Sequence, residues 1–177
     1  LNTSILTLLP KKANSLEICD FRPTNLIHGT AKIFAKVLST RLAPLLPSLI
    51  SKAQSAFVTS RNIHENFKFV RNKARWLHRR RCSSVLMKID ISKAFDTLSW
   101  EFLLEVLSAR GFGLRWRSWI CGLLSTASTS VLINGELGPP FAIGQGVRQG
   151  DPVSPALFIL AMDALHGMLE WARQRHL

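Results

Sequence analysis

Short runs of apolar residues with partial alternation predict the strands of this chain. Residues 4–9 form one such run, and residues 20–26 form a return strand that Pro23 interrupts. Residues 84–91 have the best strand pattern, because β-branched side chains alternate there with other residues. Residues 129–133 precede an Asn-Gly pair, which favours the type I′ turn of an antiparallel hairpin.

Apolar positions that recur every three or four residues predict five helices. Ser99 is a candidate N-cap, and Ser154 with Pro155 fits the N-cap and N1 positions of the last helix. The predicted helices begin near residues 30, 63, 100, 114 and 154. Helices mixed with a few antiparallel strands indicate the α+β class.

Length and composition are those of a folded domain. A chain of 177 residues buries about 70% of its unfolded surface, so its core needs no metal or disulfide. Hydrophobic residues make up 47% of the chain, which excludes general disorder. The three cysteines lie far apart without a CxxC pair, which excludes a disulfide framework or a zinc finger. No apolar run approaches the roughly 20 residues of a membrane helix, and we expect no membrane partner.

The basic surplus is confined to the first half of the chain. The net charge is +12 at pH 7. Residues 1–88 carry 16 basic and 3 acidic side chains, a net charge of +13, whereas residues 89–177 carry 7 and 8, a net charge of −1. This asymmetry indicates a polyanionic partner that binds the first half. A basic face that serves only solubility is the alternative.

Asp90 is a candidate for chemistry because it directly follows the apolar run of residues 85–89. An unpartnered buried carboxylate is costly, so Asp90 is expected either to cap the next turn or to bind a cation. Asp96 supplies a second carboxylate nearby. Oxygen ligands at a strand end beside a basic surface suit Mg²⁺ that bridges nucleotide phosphates.

A glycine-rich segment precedes the last helix. Gly146 and Gly150 flank Arg148 and Gln149, so a ligand can approach the backbone closely. The helix start that follows can hold an anionic group. A purely structural turn is the alternative interpretation.

Five motifs follow one another along the chain. They are Leu-Leu-Pro-Lys-Lys at residues 8–12, Asp-Phe-Arg-Pro-Thr-Asn-Leu at 20–26, Ser-Lys-Ala-Gln-Ser-Ala-Phe-Val at 51–58, Lys-Ile-Asp-Ile-Ser-Lys-Ala-Phe-Asp at 88–96 and Arg-Gln-Gly-Asp-Pro-Val-Ser-Pro at 148–155. No single motif is decisive, but their conjunction resembles the reverse transcriptase of a plant-type non-LTR (LINE-like) retrotransposon.

The resemblance implies a right-hand RNA-directed DNA polymerase, with fingers in residues 1–83 and part of the palm in residues 84–177. It implies that Asp90 is catalytic and binds two Mg²⁺ ions together with the backbone carbonyl of Ile91. Phe95 matches the steric gate that favours deoxynucleotides, with a core role as the alternative. The resemblance also implies nucleotide-binding roles for Lys11, Lys12, Arg22, Gln149 and Gly150.

The implied partners are an RNA template, a DNA primer and deoxynucleoside triphosphates, in the cytoplasm and nucleus. The helix predicted from residue 63 to 81 would bind nucleic-acid phosphates. Its candidate contacts are Arg71, Lys73, Arg75, Arg79, Arg80 and Arg81.

The sequence departs from the family at its second catalytic motif. The resemblance places an Asp-Asp hairpin after the helix that begins at Ser154, and no Asp-Asp pair occurs in the 177 residues. We therefore expect a fragment that is inactive alone and needs the C-terminal palm and thumb of the same polyprotein. Three interpretations stay open: a fragment of a polymerase, a non-catalytic nucleic-acid-binding module, or a degenerate remnant.

Overall fold

A five-stranded mixed sheet forms one side of the molecule in the computed structural model, which describes residues 1–59 and 61–175. The strands run in the order β2-β1-β3-β4, and β5 also pairs with β3. They are β1 (Thr3–Pro10), β2 (Phe21–Ile27), β3 (Ser128–Ile133), β4 (Glu136–Leu137) and β5 (Phe141–Ala142).

The β1–β2 hairpin is continuous, so the predicted interruption at Pro23 is wrong. Pro23 lies opposite Leu8 in an unbroken antiparallel register. Because β2 is an edge strand of the sheet, the missing N–H of proline is tolerated there. Strand β1 also pairs in parallel with β3, a pairing that the expectation of antiparallel strands alone did not include.

Six α-helices and one short 3-10 helix (Ile18–Asp20) accompany the sheet in the described residues. Ser99 caps its helix as predicted, because its Oγ accepts the Phe102 N–H at 3.3 Å. Ser154 is instead the first helical residue, and Val153 occupies the N-cap position. The helices are α1 (Gly29–Leu42), α2 (Leu46–Leu49), α3 (Ile63–Arg79), α4 (Trp100–Ala109), α5 (Leu114–Ser125) and α6 (Ser154–Gln174).

The core lies among the helices, with the first half of α6 at its centre. Helices α1, α4 and α5 pack their apolar faces around this segment, and the interior side chains are almost completely shielded from solvent. The largest of them are Leu38, Leu42, Leu103, Leu107, Ile120, Leu157, Ile159 and Leu160. Helix α6 therefore fixes the position of the glycine-rich segment that precedes it.

The strand predicted over residues 84–91 does not form, and the prediction is wrong for the described residues. The segment is irregular and exposed, with Val85 95% and Leu86 78% accessible to solvent. A β-type sequence becomes a strand only when another strand supplies hydrogen-bond partners, and no described strand pairs with this segment.

Helix α3 contributes no buried residue to the core. Its Asn62 N-cap accepts the His64 N–H, and its aromatic side chains Phe67, Phe69 and Trp76 remain exposed. Among the described helices, none has the length and apolarity needed to cross a bilayer.

Candidate functional site

The glycine loop (residues 146–151) packs against the Asp96 turn (residues 93–98). Gly146 donates its N–H to the carbonyl oxygen of Leu98 at 2.8 Å. Its φ is +77°, and a Cβ at this position would lie 2.5 Å from the Asp96 carbonyl oxygen. Only glycine therefore permits this close approach of two backbones.

The same loop also contacts strand β2, so it connects the β1–β2 hairpin to the Asp96 turn. The Gln149 carbonyl accepts the Asn25 N–H at 3.0 Å, and Gln149 Nε2 donates to Asp96 Oδ1 at 3.3 Å. Gly150 has a φ of +101°, and a Cβ there would lie 2.9 Å from the Asn25 carbonyl oxygen. Two residues predicted to contact a nucleotide, Gln149 and Gly150, thus lie between these elements.

Arg148 and Asp151 form a buried ion pair inside the glycine loop, which the sequence reasoning did not identify. Arg148 is 7% and Asp151 6% exposed, and Arg148 Nη2 lies 3.2 Å from Asp151 Oδ2. Asp151 Oδ1 also accepts the Val153 N–H at 2.9 Å. The sequence signal for this ion pair was an Arg and an Asp three residues apart in a predicted loop. The pair holds the loop against the start of α6.

Phe95, the predicted steric gate, is half-buried against the core. Its ring stacks on Phe158 of α6, with centroids 4.4 Å apart and planes inclined by 20°. The Phe95 carbonyl accepts the Val147 N–H at 2.7 Å. The contact with Phe158 is the core packing that the alternative interpretation expected, and the gate role stays a prediction.

The predicted triphosphate-binding cations all lie on the β1–β2 hairpin. Lys12 Nζ lies 2.9 Å from Asp20 Oδ1, and Lys11 Nζ donates to the Cys19 carbonyl oxygen at 2.6 Å. Arg22 is exposed on β2, and it forms no ion pair within residues 1–59 and 61–175. The hairpin therefore presents cations on the element that also holds the glycine loop.

Asp90 and Ile91 lie in the irregular segment and are both exposed, so the predicted strand-end site is not formed. In the part of the chain that the structure describes, no three His, Cys, Asp or Glu side chains are grouped to hold a metal ion. A site for two Mg²⁺ ions needs oxygen ligands from more than one segment. The described residues therefore do not fit the complete site.

The basic side chains predicted to bind nucleic acid are exposed on and after α3. Arg71, Arg75 and Arg79 recur every four residues, so they share one side of this helix. Trp76 lies on another side, where Lys73 Nζ and the guanidinium of Arg80 each lie 4.5 Å from its ring centroid. Residue 81 has a φ of +53° just after the helix ends.

A second ion pair, between buried Asp163 and partly exposed Arg110, was also missed, although an acid within the apolar pattern of α6 was visible in the sequence. Arg110 Nη2 lies 2.5 Å from Asp163 Oδ2, and Asp163 Oδ1 accepts the Ser51 N–H at 2.8 Å. Arg110 also donates to the Leu49 carbonyl oxygen. Burial raises the pKa of Asp163, but the hydrogen bonds from Ser51 and Arg110 outweigh it and leave this pKa below its usual value.

The chain that forms this cationic hairpin, glycine loop and Asp96 turn matches a known protein family over almost its whole length. Residues 9–175 match the family described as Reverse transcriptase (RNA-dependent DNA polymerase). The chain belongs to the reverse transcriptase family.

Proteins of transposable elements are among its relatives. The Transposon TX1 uncharacterized 149 kDa protein of Xenopus laevis is 35% identical over 160 residues, which cover 90% of this chain and 12% of the relative. The Pol polyprotein from the type-2 retrotransposable element R2DM of Drosophila melanogaster is 30% identical over 157 residues, 89% of this chain and 15% of the relative.

These relatives confirm the resemblance to non-LTR retrotransposons, whereas the plant-type subgroup stays a prediction. The chain spans less than a sixth of the length of either relative.

Proposed function

We propose that the chain is part of an RNA-directed DNA polymerase of a non-LTR retrotransposon. In this role it helps to add deoxynucleotides to the 3′-hydroxyl of a DNA primer along an RNA template, in the cytoplasm and nucleus. The observation that carries the proposal is the fastening of the glycine loop to both β2 and the Asp96 turn. It brings Phe95, Gln149 and Gly150 together beside a hairpin that bears Lys11, Lys12 and Arg22.

The contacts of each residue indicate its role in binding the nucleotide. Arg22 is the hairpin cation most available to a triphosphate, because Lys12 already faces Asp20 and Lys11 faces a carbonyl oxygen. A triphosphate carries more negative charge than Asp20 or the Cys19 carbonyl oxygen, so it can displace them as the partner of the two lysines. Gln149 and Gly150 then lie along the nucleotide, and Phe95 adjoins its sugar.

Asp90 and the Ile91 carbonyl are proposed as metal ligands in the assembled polymerase. Mg²⁺ prefers such oxygen ligands and would supply the charge that polarises the transferred phosphate. The described residues do not group enough acidic side chains with Asp90 to complete a two-metal site. We therefore propose that the 177-residue chain alone does not extend primers. Residues 1–83 and 84–177 would be the fingers and part of the palm.

A second candidate function is nucleic-acid binding without catalysis. The observation that favours it is α3, which buries no side chain and presents Arg71, Arg75 and Arg79 along one side. Phosphate contacts of this kind are electrostatic and independent of base sequence. Replacement of residues 79–81 by alanine should therefore weaken binding to all RNA sequences alike.

The deciding experiment is primer extension by a chimera. Residues 1–175 are joined to the downstream palm and thumb of the Drosophila R2 relative, and that unchanged relative is the positive control. We expect extension that requires an RNA template and deoxynucleotides, and we expect Asp90→Asn to abolish it while RNA binding persists. The amide keeps the shape of the carboxylate but not its charge.

The outcomes separate the two candidate functions. A folded chimera that binds RNA and extends no primer would favour the non-catalytic module. Substantial extension by the Asp90→Asn chimera would show that Asp90 is not a required metal ligand. The unmodified 177-residue chain is assayed in parallel, and extension by it that disappears with Asp90→Asn would contradict its proposed inactivity.

A further inference from the structure

An exposed aromatic side chain in an unusual backbone conformation marks the loop between α2 and α3. Phe57 has a φ of +59°, in the left-handed region that bulky side chains rarely adopt. Its side chain is nevertheless 60% exposed, so core packing does not explain the conformation. Such strained residues persist only where the surrounding structure holds them, and they concentrate at functional sites.

Side-chain hydrogen bonds hold the α2–α3 loop (residues 51–59 and 61–62 of the described chain) around Phe57. The Arg61 guanidinium donates hydrogen bonds to three carbonyl oxygens, those of Pro47, Ser51 and Gln54. Asn66 of α3 donates to the Ala53 carbonyl oxygen and to Ser55 Oγ, both at 2.9 Å.

The residues on either side of Phe57 are turned inward. Ser55 is 8% and Val58 5% exposed. The loop backbone is therefore fixed by buried neighbours and side-chain hydrogen bonds, while the aromatic ring between them stays accessible. Because the backbone that carries the ring is already fixed, less conformational entropy is lost when a flat ligand stacks on it.

Phe57 lines an open groove of about 380 Å³ together with Pro152 and Pro155, which directly follow the glycine loop in the chain. Lys36 of α1 lines the same groove. Lys52 is exposed on the α2–α3 loop itself. Proteins bind single-stranded nucleic acid with an aromatic side chain in a positively charged groove, where a base stacks on the ring and the phosphates lie near the cations. Lys36 supplies such a cation in the groove that Phe57 lines.

We propose that Phe57 is a stacking platform for an unpaired nucleobase of a single RNA strand, with the strand's phosphates held near Lys36. The charge of the first half of the chain, +13 over residues 1–88, matches this polyanionic occupant. The inference rests on the proposed function and names a contact for the template strand before it reaches the glycine loop.

The test compares two RNA probes on the 177-residue chain by fluorescence anisotropy at low salt. One is a single strand of about 10 nucleotides, and the other is the abasic backbone of equal length and charge. We expect Phe57→Ala to lower the preference for the base-containing strand by about tenfold, the effect of losing one stacked base. Affinity for the abasic strand should not change.

Three further variants separate stacking from folding. Phe57→Gly removes the ring and relaxes the positive φ, so it should lose the preference without any loss of thermal stability. Phe57→Tyr should keep the preference. Phe141→Ala removes a ring that is 50% exposed at the sheet edge, and it should behave like the wild type.

The possible results divide cleanly. An undiminished preference in both Phe57→Ala and Phe57→Gly overturns the inference while leaving RNA binding intact. An equal loss of affinity for both probes in Phe57→Ala means a structural role and overturns it as well. If the wild-type chain binds neither probe, the proposed nucleic-acid binding fails together with the inference.

Discussion

The part-buried ion pair between Asp163 and Arg110 connects α6 to the end of α4 and, through Ser51, to the start of the α2–α3 loop. Asp163→Asn keeps the size of the side chain but removes its negative charge. The Ser51 N–H can still be accepted by the amide oxygen, whereas Arg110 loses its charged partner. The variant therefore tests the charge of this contact with little change in packing.

The magnitude follows from burial. Removing one partner of a fully buried pair costs about 3–5 kcal/mol, since the other charge is left without a partner or water. The Arg110 side chain is 29% exposed, so water can partly replace the lost carboxylate. We expect a loss of about 2–3 kcal/mol, which for a chain of this size lowers the melting temperature by roughly 4–12 °C.

The effect should depend on pH in a defined direction. The pKa of Asp163 in the folded state lies below its usual value of 3.8. The charged carboxylate therefore stabilises the fold above that value, and this contribution is lost as the pH falls through the folded-state pKa. A protonated Asp163 resembles asparagine, so the difference between wild type and variant should shrink as the pH falls below 3.8.

Thermal unfolding followed by circular dichroism, at pH 7 and again in acid, measures both quantities. Glu170→Gln is the matched control, because it removes the charge of a carboxylate of the same helix whose side chain is 41% exposed and pairs with the exposed Arg173. We expect little change in its melting temperature. Equal losses in Asp163→Asn and Glu170→Gln at pH 7, or a deficit of Asp163→Asn that persists unchanged in acid, would refute the reasoning.

Three other predictions concern the site, a helix cap and the basic half. Gly146→Ala should lower the free energy of unfolding by more than about 1 kcal/mol, because its Cβ would meet the Asp96 carbonyl. Gly122→Ala in α5 is the control: its Cβ would have open space, so the variant should be as stable as the wild type or more stable in thermal unfolding. Ser99→Ala should cost about 1 kcal/mol by loss of the cap to Phe102, measured by urea unfolding. RNA affinity in filter binding should fall roughly a thousandfold between 50 and 200 mM salt, and a flat response would contradict phosphate binding.

Local patterns in the sequence were sufficient for most secondary structure. The Asn134-Gly135 turn has positive φ at both residues, as the predicted hairpin type requires. Helix α3 begins at the predicted residue, and Ser99 caps the helix that begins at Trp100. These features depend on neighbours within a few residues, so periodicity, caps and turn residues are enough to predict them.

The sequence also identified the family, because five motifs in order are visible without any structure and the match covers residues 9–175. The asymmetry of charge is also visible without any structure, because it follows from counting the charged residues in each half of the chain. Sequence by itself therefore determined the class of protein and the half that carries the basic charge, whereas the roles of the candidate site residues stay predictions.

Only the tertiary structure decided which residues meet. Ser4 pairs with Thr129 across 125 residues, and Arg110 meets Asp163 across 53. The β-type pattern of residues 84–91 forms no strand, whereas β2 runs through Pro23 at an edge where no partner is needed. No local pattern contains the information for strand pairing or for the ion pairs, because these depend on partners from distant parts of the chain. The same holds for the exposed Phe57 and its positive φ, since other segments hold its loop.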